Sequence, residues 1–200
     1  MRSTGAIVIL VVLLLVGFAG CAGVGTYNSL TEADVRVEQA WGDLESTYQR
    51  RADLIPNLVA TVQGAADFEQ ETLTAVTEAR TRAVNVELSG DDLSDASRVQ
   101  QYQEAQTALA AATGSLINLV REDYPELGAT ESFRDLQVQL EGTENRINTS
   151  RRDYNAAVAD YNRSVRVFPA NIVAGITGFG QKTPFEAEAG AENAPDVSFD

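Results

Sequence analysis

The chain has 200 residues, 44% of them hydrophobic, enough for one domain with a packed core. Its 29 acidic and 15 basic residues leave a net charge of −14, so it lacks the basic face that nucleic acid or anionic headgroups require. It has no histidine, which removes His-based acid–base chemistry, Ser–His and Cys–His nucleophile pairs and most zinc sites, and its single cysteine, Cys21, cannot form an internal disulfide.

The N-terminus places Arg2 before an uncharged run from Gly5 to Gly25. Its most apolar part, Ala6 to Val16, is shorter than the roughly 20 residues that span a bilayer, and extension to Val24 makes it just long enough. Two readings stay open. Gly5 to Val24 is an uncleaved signal anchor, or it is a secretory signal ending in Phe18-Ala19-Gly20-Cys21. That tetrapeptide resembles a bacterial lipobox, with Phe18 where leucine is usual, and makes Cys21 a candidate for lipid attachment. Otherwise Cys21 is an ordinary small apolar residue of the helix. Arg2 precedes the run and Glu32 and Asp34 follow it, so both readings put the rest of the chain outside the cytoplasm.

From Tyr27 the spacing is helical. Leu30, Val37, Trp41, Leu44 and Tyr48 form one stripe. Pro56 has no N–H and predicts a kink or short break, after which Leu58, Val59 and Val62 resume the pattern. Gly64 weakens it, and Leu73, Val76 and Ala83 carry it to about Leu88. Ser89 to Asp92 reads as a loop. A second stretch starts near Ser94 or Asp95, either of which suits a cap, and runs through Tyr102, Ala105, Leu109, Ala112, Leu116 and Leu119 until Pro125. The last begins near Thr130 or Ser132. Its stripe is Phe133, Leu136, Leu140, Thr143, Ile147, Tyr154, Val158, Tyr161, Val165 and Phe168, and Pro169 ends it. Asn171 to Ile176 adds a further apolar turn or two. These stripes predict an all-α fold of long antiparallel helices in a four-helix bundle. The expected organisation is a membrane anchor or lipoprotein signal over 1–25, a bundle over 26–178 and an acidic, mobile tail over 179–200.

Polar residues keep step with the stripes. Tyr154-Asn155 and Tyr161-Asn162 repeat at a heptad interval, and Glu144, Arg151, Asn155 and Asn162 share one flank of the last helix. Arg50, Arg51, Asp53 and Asn57 surround Pro56. Arg51, Asn57, Glu144, Arg151, Asn155 and Asn162 are therefore candidates for a polar network that sets helix register, with Arg51 paired to Glu144 across the bundle. The competing reading makes the Pro56 break and the Asn155/Asn162 flank a ligand cleft. Asp67, Glu69 and Glu71 are two apart on a helix and share no face, and Glu186, Glu188 and Glu192 fall in the tail, so neither acidic group suggests a metal site. No cofactor site and no catalytic constellation is predicted.

Several segments in order match one family. They include Tyr27-Asn28-Ser29-Leu30, Ala40-Trp41, Arg50-Arg51-Ala52-Asp53-Leu54-Ile55-Pro56-Asn57-Leu58-Val59, Tyr124-Pro125-Glu126-Leu127, Thr143-Glu144-Asn145, Arg151-Arg152-Asp153-Tyr154-Asn155, Tyr161-Asn162 and Phe168-Pro169-Ala170-Asn171. Over about Tyr27 to Phe179 the chain resembles the LemA family of bacterial membrane proteins. The resemblance implies an N-terminal membrane segment, a four-helix bundle outside the cytoplasm and no enzyme activity. The leading expectation is a membrane-tethered envelope scaffold that docks another envelope protein and binds no nucleic acid. The alternatives are a small-molecule or peptide-binding protein using the cleft named above, and, last, a hydrolase built on carboxylates.

Overall fold

The computed structural model describes residues 2–64 and 69–186, and within 2–19 the side chains of Gly5, Leu10, Val11, Leu13, Leu14 and Gly17. Its elements are α1 (Arg2–Gln63), α2 (Gln70–Asn85), a 3₁₀ turn (Asp91–Ser94), α3 (Ala96–Asp123), α4 (Pro125–Gly128), α5 (Glu131–Arg166) and α6 (Ala170–Thr177). No strand occurs among the described residues.

Helix α5 runs antiparallel to α1, since Arg51 meets Glu144 and Tyr48 meets Arg151. Helices α2 and α3 form a second antiparallel pair, with Gln106 on Ala83 and Arg98 on Glu87. The caps follow local chemistry. The Asp95 carboxylate accepts from the Ser97 and Arg98 amides, and the Thr130 hydroxyl accepts from the Phe133 amide.

The apolar stripes fill two cores. One gathers Ala52, Ile55, Leu58 and Val62 of α1 with α2, Leu109 to Val120 of α3 and Phe133 and Leu140 of α5. There all four long helices contribute. The other holds Leu30 to Tyr48 of α1 and Ile147 to Val165 of α5, joined by Leu93, Val99, Tyr102 and Phe185. Helix α2 does not reach this level, and its place is taken by the chain around Leu88 to Leu93 and by an extended segment, 179–186. The tail expected to be mobile from residue 179 is thus held over 179–186, and Phe185 is only 2% exposed. Residues 187–200, with Glu188 and Glu192, lie outside the described part.

Helix α1 runs unbroken from Arg2 to Gln63, through residue 25. The helix does not break at Pro56 as expected, and the chain turns instead at Gly64. A proline inside a helix deprives the carbonyl four residues earlier of its donor. That carbonyl belongs to Ala52, and Arg80 of α2 donates Nε to it at 2.8 Å. The missing bond is replaced from the neighbouring helix, so the helix continues. Among the described residues no helix is long and apolar enough to cross a membrane. Phe168, expected in the α5 stripe, is 80% exposed.

R80M should expose this repair. Loss of the donor is expected to cost about 1–2 kcal/mol of unfolding free energy. Adding P56A, which restores the backbone donor, should recover most of it. Equal losses in R80M with and without P56A, read by denaturant unfolding, would show that Arg80 acts elsewhere.

Candidate functional site

Between the two apolar cores lies a polar layer centred on Arg51, which is 4% exposed. Arg51 Nη1 donates to Glu144 Oε2 at 3.1 Å, and Nη2 donates to the Gln106 carbonyl and to Gln106 Oε1 at 2.8 and 3.0 Å. Gln106 Nε2 donates in turn to the Ala83 carbonyl at 3.3 Å. The layer therefore ties α1, α5, α3 and α2 in one plane. The guanidinium also lies 5.2 Å from the Tyr48 ring centre, and Arg151 Nη2 donates to the Tyr48 hydroxyl at 3.2 Å. Of the six residues proposed as one network, Arg51 and Glu144 meet directly, and Arg151 joins them through Tyr48. Asn57 is exposed and stands apart. Gln106 was missed, because one glutamine in a helix pattern carries no partner information.

Asn155 and Asn162 do something different. Asn155 accepts from the Phe185 amide at 2.8 Å and donates to its carbonyl at 2.9 Å. Asn162 makes the same pair with Lys182, both bonds 2.8 Å. Seven helical residues rise about 10.5 Å. Three extended residues span about 10 Å. The heptad repeat of Asn on α5 is thus the right length to hold an extended strand at every third residue. Gln103 repeats the motif on Glu186, at 3.3 and 2.8 Å. The Thr183 amide donates to the Leu93 carbonyl, and its carbonyl accepts from the Tyr154 hydroxyl. Side chains finish the fit. Phe185 stacks on Trp41 and meets Tyr154 and Tyr102 edge-on. Lys182 pairs with Asp34 at 2.9 Å, donates to the Gly90 carbonyl and lies 5.9 Å from the Tyr161 ring centre. The flank read as a ligand cleft is therefore filled by the chain's own segment.

An open cleft of about 450 Å³ remains beside the polar layer, between α1 and the α2–α3 connection. Tyr48, Tyr102 and Gln106 line its floor, and Glu45, Glu87, Asp92 and Arg98 its rim. Burial, and secondarily the Glu87 charge, raise the Glu45 carboxyl above its ordinary value. Burial likewise raises the Tyr102 and Tyr154 hydroxyls, and it pushes Tyr161 up to about 12. These tyrosines stay protonated and serve as hydrogen-bonding and packing groups. Asp92 is held below the ordinary range by the Ser89 amide and hydroxyl. Glu69 and Glu71 are exposed, and Asp67 lies outside the described residues. No group of three potential ligands that could hold a metal occurs among the described residues. Cys21 is exposed on α1 with a free thiol.

Replacing Asn155 and Asn162 together by alanine should free the segment. Hydrogen exchange at the Lys182 and Phe185 amides is expected to rise steeply while the α1 and α5 amides keep their protection. Unchanged protection at those two amides would mean that the apolar contacts alone hold the segment. For Glu45 the sign is set by its raised pKa. The protonated form suits the fold, so that contribution is present at low pH and lost as pH rises through the folded-state pKa. E45Q should therefore melt higher than the native chain near neutral pH and match it near the ordinary glutamate pKa. The opposite ordering would show that the Glu45 charge is favourable in place.

A LemA family model matches residues 40–199, which take in the polar layer, the Asn ladder and the clamped segment. The magnetosome proteins MamQ 1 and MamQ 2 of Paramagnetospirillum magneticum are each 27% identical over 176 residues, 80% of this chain and 64% of theirs. Protein LemA of Metamycoplasma hominis is 25% identical over 166 residues, 83% of this chain and 71% of its own. The chain spans just under two thirds of the length of those MamQ relatives. With the family model matched over most of its length, the chain belongs to the LemA family.

Proposed function

We propose that this protein is a non-catalytic, membrane-tethered scaffold of the cell envelope, with its bundle outside the cytoplasm and docked to another envelope protein. The observation that carries the reading is the continuity of α1, one helix from Arg2 to Gln63. Its first part holds the uncharged apolar run and its later part supplies the core, so the anchor and the bundle share one rigid rod. Arg2 before the run and Glu32 and Asp34 after it set the outward direction.

Apolar docking on the bundle's sides has little support. The exposed large apolar residues there, Val35, Val84 and Val138, sit on three different helices. The partner surface proposed is the groove of about 740 Å³ between α1 and α5, on which Asp43, Ser46, Arg146 and Ser150 lie. A second reading keeps a small-ligand site but moves it from the Asn155/Asn162 flank to the cleft above Tyr48 and Tyr102. The raised Glu45 carboxyl beside Glu87 favours a cationic group there.

Ser150→Cys in the full chain tests the first reading. Recovery in the membrane fraction is expected, with labelling in whole cells by a membrane-impermeant maleimide in excess of that of the native chain, which carries Cys21 alone. A membrane-bound chain labelled only after lysis would reverse the orientation, and a chain in the soluble fraction would end the tethering proposal.

A further inference from the structure

The exposed apolar side chains are concentrated at one end of the molecule. Phe168 is 80% exposed, Ile176 81%, Val24 62%, Ile172 53%, Val167 49% and Tyr27 44%. They come from two distant parts of the sequence. Helix α5 descends alongside α1 to the level of Thr26 and Ser29. The chain then enters α6, and Gly178, in the left-handed conformation with φ of 84°, turns it back upward. Phe179 next meets Tyr27 at 5.6 Å, and Lys182 meets Asp34. Helix α6 is therefore the lowest part of the bundle beside α1, where Val173 and Ile176 line an open pocket with Gly20, Gly23, Val24 and Tyr27.

From this we infer that the foot of the bundle, formed by Val167, Phe168, α6 and the facing stretch Gly20 to Tyr27 of α1, is a lipid-contacting surface seated at the headgroup–acyl boundary of a bilayer. The inference rests on the tethering proposed above and deepens it.

Three observations select lipid rather than protein as the occupant. The first is continuity. Gly20, Gly23 and Val24 end the same apolar run that is proposed as the anchor, so α6 lies where that run leaves the membrane. Depth agrees as well. Gly20 to Tyr27 covers about 10 Å of helix axis. An interfacial helix buries its apolar side by roughly 5–10 Å. The third is charge. No charged residue stands between Arg2 and Glu32, or between Arg166 and Lys182. Just above this uncharged zone Arg163 and Arg166 close α5, at the height where long cationic side chains reach lipid phosphates. The placement is the same for either anchor. In the lipidated form the chain begins at Cys21, and its lipid would enter the bilayer beside Gly23 and Val24, which line one pocket with Ile176. The uncharged stretches make the contact apolar and a net charge of −14 brings no attraction to anionic lipid, so zwitterionic lipid suffices.

Phe168→Trp in the full chain provides the test. The native Trp41 is 5% exposed and packed inside the bundle, which makes it an internal reference. The chain is reconstituted into phosphatidylcholine vesicles carrying bromine either near the headgroup or near the chain terminus. Flotation with the vesicles and quenching of the added indole, several-fold stronger with shallow bromine than with deep, is expected. The native chain should show little quenching. A chain that floats but whose added indole is not quenched overturns the foot and leaves tethering intact. If, in addition, that indole's emission changes with protein concentration, a second copy covers the surface. A chain that fails to float ends the tethering reading and the foot with it.

Discussion

A guanidinium held between two apolar cores constrains how every helix of this bundle sits. Arg51 cannot be moved by a helical turn without entering Tyr48 and Leu44 on one side or Ile55 on the other, where nothing would accept its hydrogen bonds. An unpaired buried cation costs several kcal/mol (about 3–5 when a partner is removed), far more than the pair itself contributes. The penalty for slippage is what fixes α1 against α5 through Glu144 and against α3 through Gln106. Gln106 then passes the constraint to α2 by reaching Ala83. Apolar stripes alone would tolerate neighbouring registers, because one leucine replaces another at little cost.

The level of the polar layer also marks where the architecture changes. On the Pro56 side of it the section is four helices. On the side facing the foot α2 has ended, and an extended segment closes the gap. Such a segment brings backbone groups that no strand partner satisfies, and burying them unpaired would oppose folding. The fold meets this with amide side chains, each Asn or Gln offering a donor and an acceptor to one residue of the segment. The aromatic box around Phe185 supplies the apolar gain that holds the clip in place. A strand is thereby carried on a helix, with the heptad of one matching three residues of the other.

The same economy appears at Pro56 and at the foot. In each case a local defect of one element is met by another that lies close only after folding. Arg80 supplies the donor that Pro56 lacks. Helix α6 stands beside the small residues at the end of the apolar run, and the two together form the foot proposed to meet lipid. The molecule is accordingly polarised along its long axis, with an uncharged end, an acidic body and a groove between α1 and α5.

The sequence by itself determined the all-helical class, the stripes of α1, α3 and α5 and the Arg51–Glu144 pair of the polar layer. Helical periodicity and side-chain chemistry are local properties that can be read from spacing. Arg51 and Glu144 stood out because charges in step with an apolar stripe need partners. Other features were decided only in three dimensions. Gln106, Arg80 and Ala83 are ordinary helix residues until the helices are side by side. Asn155 and Asn162 advertised a polar purpose, but their partner lies in a Gly-rich segment whose composition predicts mobility. Phe168 followed the stripe by spacing yet falls below the last helix able to cover it. Whether a residue is buried, clamped or left for a membrane depends on what stands opposite it, and that is a property of the packed chain rather than of any stretch of it.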